Sequence, residues 1–322
     1  MPDPKRILLL GATGTIGRAT LGVLRDRGFQ VTCLTRPGPA ELASLPVQIT
    51  DAAALTAAVL SQPFDAVLSC LASRTGTPRD AFAIDHAAHL TVLRAAQTAG
   101  IPQFVLLSAI CVQKPLLAFQ HAKLAFEAEL ATSGLTYSIV RPTAYFKSLS
   151  GQVARVQAGK AYLLFGDGDL TACKPISDRD LGRYLVECLT DPARHNRILP
   201  VGGPGPAITP RQQGHEVFRL LGKPARFRHV PVGLMTTIIA GLDLAGRVVP
   251  KLRDKAELAR IGRYYATESM LVLNPATGRY DADATPETGS DRLFDHYADL
   301  ISGKVRSDLG DHAVFYPPLP RP

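Results

Sequence analysis

The chain has 322 residues, 46% hydrophobic and 20% charged, with a formal net charge of +8. That is an ordinary globular composition, long enough to bury a large core in one domain or two. Its five cysteines (33, 70, 111, 173 and 188) are scattered, with no C-x-x-C pair, so neither a disulfide framework nor a zinc site is expected and a reducing compartment is. No basic run or aromatic-interleaved stripe accompanies the positive charge, so nucleic acid is not expected as a partner. An anionic ligand or an anionic membrane surface stays open.

Residues 7–17 read ILLLGATGTIG. A short apolar run stopped by glycine predicts a buried parallel strand. Ile16, Leu21, Val23 and Leu24 then follow at helical spacing. Gly11, Gly14 and Gly17 therefore fall where the first strand turns into the first helix, the place where a dinucleotide pyrophosphate docks on a helix N-terminus. Gly11 is expected to permit the tight turn, Gly14 to let phosphate approach, and Gly17 to let helix and strand pack closely. Thr13, Thr15, Ile16 and Arg18 complete this candidate cofactor-binding loop. Lys5 and Arg6 mimic the start of a signal peptide, but the apolar run breaks too early for an h-region. Neither export nor a transit peptide is expected, and the location read from the sequence is cytoplasmic.

A second strand is predicted at 30–35, ending at Arg36. NAD enzymes usually carry an acid there for the ribose hydroxyls, whereas an arginine suits a 2′-phosphate. NADPH is therefore the expected cofactor. A third strand is predicted near 47–50. Asp51 after it either faces the adenine or caps a helix at 52–61, and the sequence leaves both readings open. Further strands are predicted at 64–71, 104–107 and 137–140, with helices at 78–99 and 116–133 between them. This alternation predicts an α/β, Rossmann-type doubly wound parallel sheet.

Beyond Pro142 the alternation loosens. A helix at 178–189 and a strand at 197–201 are predicted to return to the sheet. Residues 202–210, GGPGPAITP, mark the clearest change of composition. Residues 1–205 are read as the NADPH-binding domain, with a substrate-side excursion near 145–175. Residues 206–322 are read as a smaller α+β substrate-binding part. That part should hold helices near 210–221, 252–265 and 290–302, a strand near 226–230, and a hairpin turning at 274–278. The apolar stretch 231–250 is broken by Asp243 and Arg247, short of a membrane span. It reads as a core or cavity helix, with an interfacial helix backed by Lys251, Arg253 and Lys255 as the alternative. No metal is expected, since the histidines show no ligand spacing.

Ser108 at the end of the fifth strand and Lys123 on the next helix resemble the short-chain dehydrogenase arrangement, in which a Ser is followed by Tyr-x-x-x-Lys. Here Phe119 holds the tyrosine position. A phenyl ring donates no proton, so ordinary carbonyl reduction is not expected; Lys123 can still hold the nicotinamide ribose. The stretches LSAICVQKPLLAFQHAKLAFEAEL (107–130), IVRPTAYFKSLSGQ (139–152) and ATESMLVLNPATGRYDADATPETGSDRLFDHYADLISG (266–303) narrow the choice. Together they resemble the NADPH-dependent divinyl chlorophyllide a 8-vinyl-reductases over essentially the whole chain. The resemblance implies reduction of the C8 vinyl of a divinyl magnesium tetrapyrrole to ethyl. Peripheral contact of 231–255 with a photosynthetic membrane stays open. The resemblance leaves two alternatives, a non-catalytic NADP-binding assembly factor and a reductase of small phenolic alkenes. Pro142, Thr143 and Tyr145 should then lie near the nicotinamide, with Lys123 and Tyr145 as the candidate catalytic residues. An iron–sulfur vinyl reductase is no template, for want of a cysteine cluster.

Overall fold

The computed structural model describes residues 5–36, 44–249 and 251–305. In chain order the elements are β1 (Arg6–Leu10), α1 (Thr15–Asp26), β2 (Gln30–Thr35), β3 (Ser44–Pro46), α2 (Ala52–Leu60), β4 (Ala66–Ser69), α3 (Pro78–Ala81), a π-helical turn (Phe82–Ala88), α4 (His89–Thr98), β5 (Gln103–Leu107), α5 (Ala118–Ala131) and β6 (Thr136–Pro142). There follow α6 (Phe146–Leu149), α7 (Gly151–Gln157), β7 (Tyr162–Phe165), α8 (Asp178–Glu187), β8 (Arg197–Val201), α9 (Pro210–Leu220), β9 (Phe227–Val230), α10 (Val232–Gly246), α11 (Lys251–Thr267), β10 (Val272–Asn274), β11 (Arg279–Asp281) and α12 (Leu293–Ile301).

The chain divides into two compact units. One comprises residues 1–142 and 178–201, the other 143–177 and 202–322. The first is built on a seven-stranded parallel sheet of order β3-β2-β1-β4-β5-β6-β8. The order reverses between β1 and β4. In open parallel sheets ligands bind outside the carboxyl ends of the strands at such a switch point. The four apolar residues of β1 and all of β4 and β5 are buried, as strands covered on both faces must be. Leu8, Leu10, Leu55, Phe104, Phe126 and Ile139 are among the side chains of the core on one face.

Two local expectations are corrected. The third strand lies at Ser44–Pro46, not at 47–50. Proline brings no N–H to a ladder, and after Pro46 the chain turns, with Asp51 N–H bonded to Gln48 O at 2.8 Å. The stretch 78–99 is not one α-helix either, because Phe82–Ala88 winds as a π-helix, a form frequent at functional sites.

In the second unit β7 pairs in parallel with β9. Phe146, Tyr162, Val217, Phe218 and Tyr297 help to fill its core. The hairpin β10–β11 turns where expected: Asn274 Oδ1 accepts from Ala276 N–H at 2.9 Å, and Gly278 takes φ +66°. Helix α10 departs from a core helix. Met235, Ile239 and Gly246 are its buried residues, while Leu234, Ile238 and Leu244 are exposed. Among the described residues no helix is long and apolar enough to cross a membrane.

Candidate dinucleotide site

The glycine loop leaves β1 and enters α1 at the switch point. Gly11 has φ +74°, and a Cβ on it would stand 2.6 Å from the Cys70 carbonyl carbon and 2.7 Å from Leu71 N. Only glycine lets the loop after β1 pass so close to the loop after β4. A Cβ on Gly17 would stand 2.0 Å from Gly11 O, so the close approach made there is of α1 to its own leading loop rather than to the strand. Gly14 is different. Its φ of −74° suits any residue, and a Cβ there would meet nothing nearer than Gly11 O at 3.4 Å. Neither backbone nor packing requires glycine at 14, whose exposed face is what an approaching phosphate would need.

Helix α1 starts with no side-chain cap and no acid in its first turn. A helix N-terminus carries N–H groups without partners inside the helix and a positive dipole end, and no side-chain cap or first-turn acid of α1 opposes an anion there. Thr13 and Arg18 are exposed at this end and Thr15 is half-buried. Ile16 is buried, so its expected part in the cofactor site is restricted to its backbone. Arg36 stands exposed at the end of β2. Asp51 caps α2, its Oδ1 accepting from Ala53 N–H at 3.1 Å and Ala54 N–H at 3.0 Å. The cap reading of that residue is realised in the fold, through one of its two oxygens.

Ser108 is buried after β5, and its hydroxyl donates to Glu127 Oε1. Glu127 in turn pairs with Arg141 through both its oxygens. The Ser108 proton is thus directed at a carboxylate of α5, which the sequence did not suggest. Gln120 sets where α5 begins. Buried, it accepts from the Leu116 and Leu117 N–H groups at 2.7 and 2.9 Å and donates to Cys111 O at 3.0 Å. Phe119 beside it is 8% exposed. One turn further, Lys123 Nζ bonds Asp85 Oδ1 at 2.9 Å, the lysine side chain 12% exposed and the aspartate fully covered. Asp85 Oδ1 also accepts from Ser73 N–H at 3.2 Å, in the loop after β4.

His89 anchors the same loop from the other side. Its Nδ1 faces Ile84 O at 2.9 Å and its Nε2 faces Ser69 Oγ at 2.7 Å. A carbonyl only accepts, so Nδ1 carries the proton, Nε2 accepts from the serine, and Ser69 Oγ is left to accept from Leu71 N–H at 3.3 Å. Burial pushes the His89 pKa down to about 4, against the pull of Asp85, so the ring is neutral at physiological pH.

Pro142 closes β6, paired with Val201. Thr143 and Tyr145 belong to the second unit. Thr143 is buried there and donates to Lys174 O, so its hydroxyl proton is engaged within that unit. Tyr145 is half-buried, N-caps α6 and forms a bridge with Ile176. Lys123 is therefore paired with Asp85, and the Ser108 hydroxyl with Glu127. Asp85, His89 and Glu127 escaped the sequence reading because nothing in their spacing links them to Lys123 or Ser108. Among the described residues no cluster of potential ligands could hold a metal ion.

Residues 11–192 match the NAD(P)H-binding domain family. Divinyl chlorophyllide a 8-vinyl-reductase, chloroplastic, of Oryza sativa subsp. indica is 47% identical over 336 residues, covering 98% of this chain and 83% of that protein. The protein of the same name from Cucumis sativus is 46% identical, covering 98% of this chain and 80% of its own. Among solved structures, the NADPH complex of the NADPH-dependent quinone oxidoreductase of Escherichia coli superposes with a TM-score of 0.64 at 19% identity, covering 92% of this chain and 99% of that one. That structural likeness shows the fold, whereas the sequence likeness runs nearly end to end and takes in both units. The chain belongs to the divinyl chlorophyllide a 8-vinyl-reductase family.

Proposed function

We propose that this protein reduces the C8 vinyl group of a divinyl (proto)chlorophyllide to ethyl with NADPH. The observation that carries the reading is full-length family likeness combined with a lysine kept and a tyrosine lost: Lys123 is held beside the switch point, while Phe119 stands in the place of a carbonyl proton donor. A ketone reductase lacking that donor forgoes general acid catalysis worth about 10²–10⁴-fold. A vinyl group forms no alkoxide, and conjugation to the macrocycle spreads the developing negative charge, so the chemistry does without a phenol at 119.

Bound NADPH supplies the hydride. The chain's own residues bind and orient it. The first turn of α1 and the open side of Gly14 receive the pyrophosphate, Arg36 with Arg18 receives the 2′-phosphate, and Lys123 holds the nicotinamide ribose. Ser108 and Pro142 stand at the carboxyl ends of β5 and β6, where the nicotinamide half belongs. A proton must complete the reduction, and Tyr145, three residues past the end of β6, is our candidate donor. Asp51 serves the adenine only through the oxygen its cap leaves over.

The exposed apolar residues of α10 support peripheral contact with an anionic membrane, since Arg247, Arg253 and Lys255 are exposed near them. The cysteines, four of them buried and none in a disulfide, support a reducing setting such as the cytoplasm. The test of function is direct. Purified protein, NADPH and divinyl chlorophyllide are mixed and the absorption bands followed. A blue shift to the monovinyl product with matching NADPH oxidation is expected. NADPH binding without any shift would favour a non-catalytic NADP-binding factor instead.

A further inference from the structure

The pair between Asp85 and Lys123 is poorly explained as a stabilising device. Asp85 is 1% exposed and lies in the π-helical turn. Oδ1 carries two donors, Lys123 Nζ and Ser73 N–H, while Oδ2 is buried with no partner, alone in this among the described side-chain atoms. Nearly all buried polar atoms in folded proteins are paired. A buried ion pair with unmet hydrogen-bonding capacity commonly does no better for stability than apolar residues of the same volume. What the arrangement does supply is placement. The π-turn packs against α5 and offers one carboxylate oxygen to two elements at once. One is the lysine of α5, 38 residues away in sequence. The other is the loop after β4, whose backbone at Cys70 and Leu71 lies against Gly11 of the phosphate loop. His89, one turn on from Asp85, fastens the base of that loop through Ser69.

We propose that Asp85 is a positioning residue of the reductase: it fixes the Lys123 ammonium relative to the glycine loop, so that Lys123 meets the nicotinamide ribose already oriented. This rests on the reading that Lys123 holds the dinucleotide. Asp85 acts through Lys123 and Ser73 and has no contact of its own with cofactor or substrate.

The test is a double-mutant cycle on the full chain with Asp85→Asn, Lys123→Met and the two combined. NADPH affinity is titrated by fluorescence, single-turnover vinyl reduction is timed, and thermal unfolding is followed. Each single variant should bind NADPH roughly 10- to 150-fold more weakly, the range for losing a charge-assisted hydrogen bond. The double variant should be no worse than Lys123→Met alone, because nothing remains for Asp85 to position. Unfolding should show the reverse of damage: each single change strands a buried partner, and the double variant regains stability over both. If Asp85→Asn does not fold, the comparison of the double variant with Lys123→Met carries the test. A double variant more than about threefold weaker in NADPH than Lys123→Met would overturn the proposal by giving Asp85 a contact of its own. So would Asp85→Asn with unchanged affinity, or Lys123→Met with unchanged affinity. Failure of the unmutated protein to reduce the vinyl group would sink the proposed function while leaving the NADPH cycle to decide the role of Asp85.

Discussion

Arg36 and His89 illustrate two ways a single side chain sets behaviour here, one by offering charge and the other by refusing it. Arg36 is exposed at the end of β2, where an acid would serve NADH. Arg36→Ala should weaken NADPH binding by roughly 10–150-fold, the range for a lost charge-assisted hydrogen bond, and leave NADH nearly unchanged. Equal affinity of the unmutated protein for the two dinucleotides would refute the reading of Arg36. His89 is neutral in the fold, its pKa lowered from 6.5 to about 4 by burial. Between those values the unfolded chain binds a proton that the folded chain does not. The stability contributed by the neutral ring is therefore complete above about pH 6.5 and is lost as pH falls toward 4, with a slope approaching about 1.4 kcal/mol per unit. Urea titrations across that range should show the slope in the unmutated chain and a flatter one in His89→Gln, which cannot titrate.

At the scale of elements, the three glycines divide by what each must avoid, and substitutions should separate them. A Cβ at 14 meets nothing closer than ordinary contact, so Gly14→Val should leave circular dichroism unchanged while NADPH fluorescence enhancement disappears. Gly17→Ala drives a Cβ to 2.0 Å from a backbone carbonyl and should destabilise by at least the ~1–3 kcal/mol typical of overpacking, seen as a lower Tm. The β–α alternation was legible because buried parallel strands are continuous apolar runs and the glycine loop has fixed spacing. The π-turn was not, since an extra residue per turn leaves the apolar pattern of 78–99 almost intact. Of the proposed site, the sequence suggests only what is local: the loop, Arg36, the lysine four residues after Phe119. Asp85, His89 and Glu127 stayed hidden because a partner tens of residues away is chosen by packing, and no periodicity records that choice. Ser108 was read by analogy with Ser and Tyr acting together. Its hydroxyl donates to Glu127, a partner that the analogy does not contain.

At the scale of the molecule, the apolar face of α10 and the basic residues after it make a prediction about location. Leu234→Ser with Ile238→Ser should abolish flotation with vesicles rich in anionic lipid and leave vinyl reduction of detergent-dispersed substrate intact. Neutral vesicles should recover little of either protein, because the basic residues contribute about 1 kcal/mol each only near an anionic surface. The boundaries of the two units were less legible than the elements, since composition changes at 202–210 whereas the chain crosses between units at 142/143, 177/178 and 201/202. That threading has a consequence in time. The outer edge of β6 is complete when Pro142 is made, yet its partner β8 arrives only with Arg197–Val201, after a stretch belonging to the other unit. At about 5–20 residues per second a ribosome needs roughly 3–12 s to bridge that interval. For those seconds the nascent sheet shows an open edge strand carrying Ile139 and Val140, so midway through its own synthesis this chain offers that edge to wrong partners.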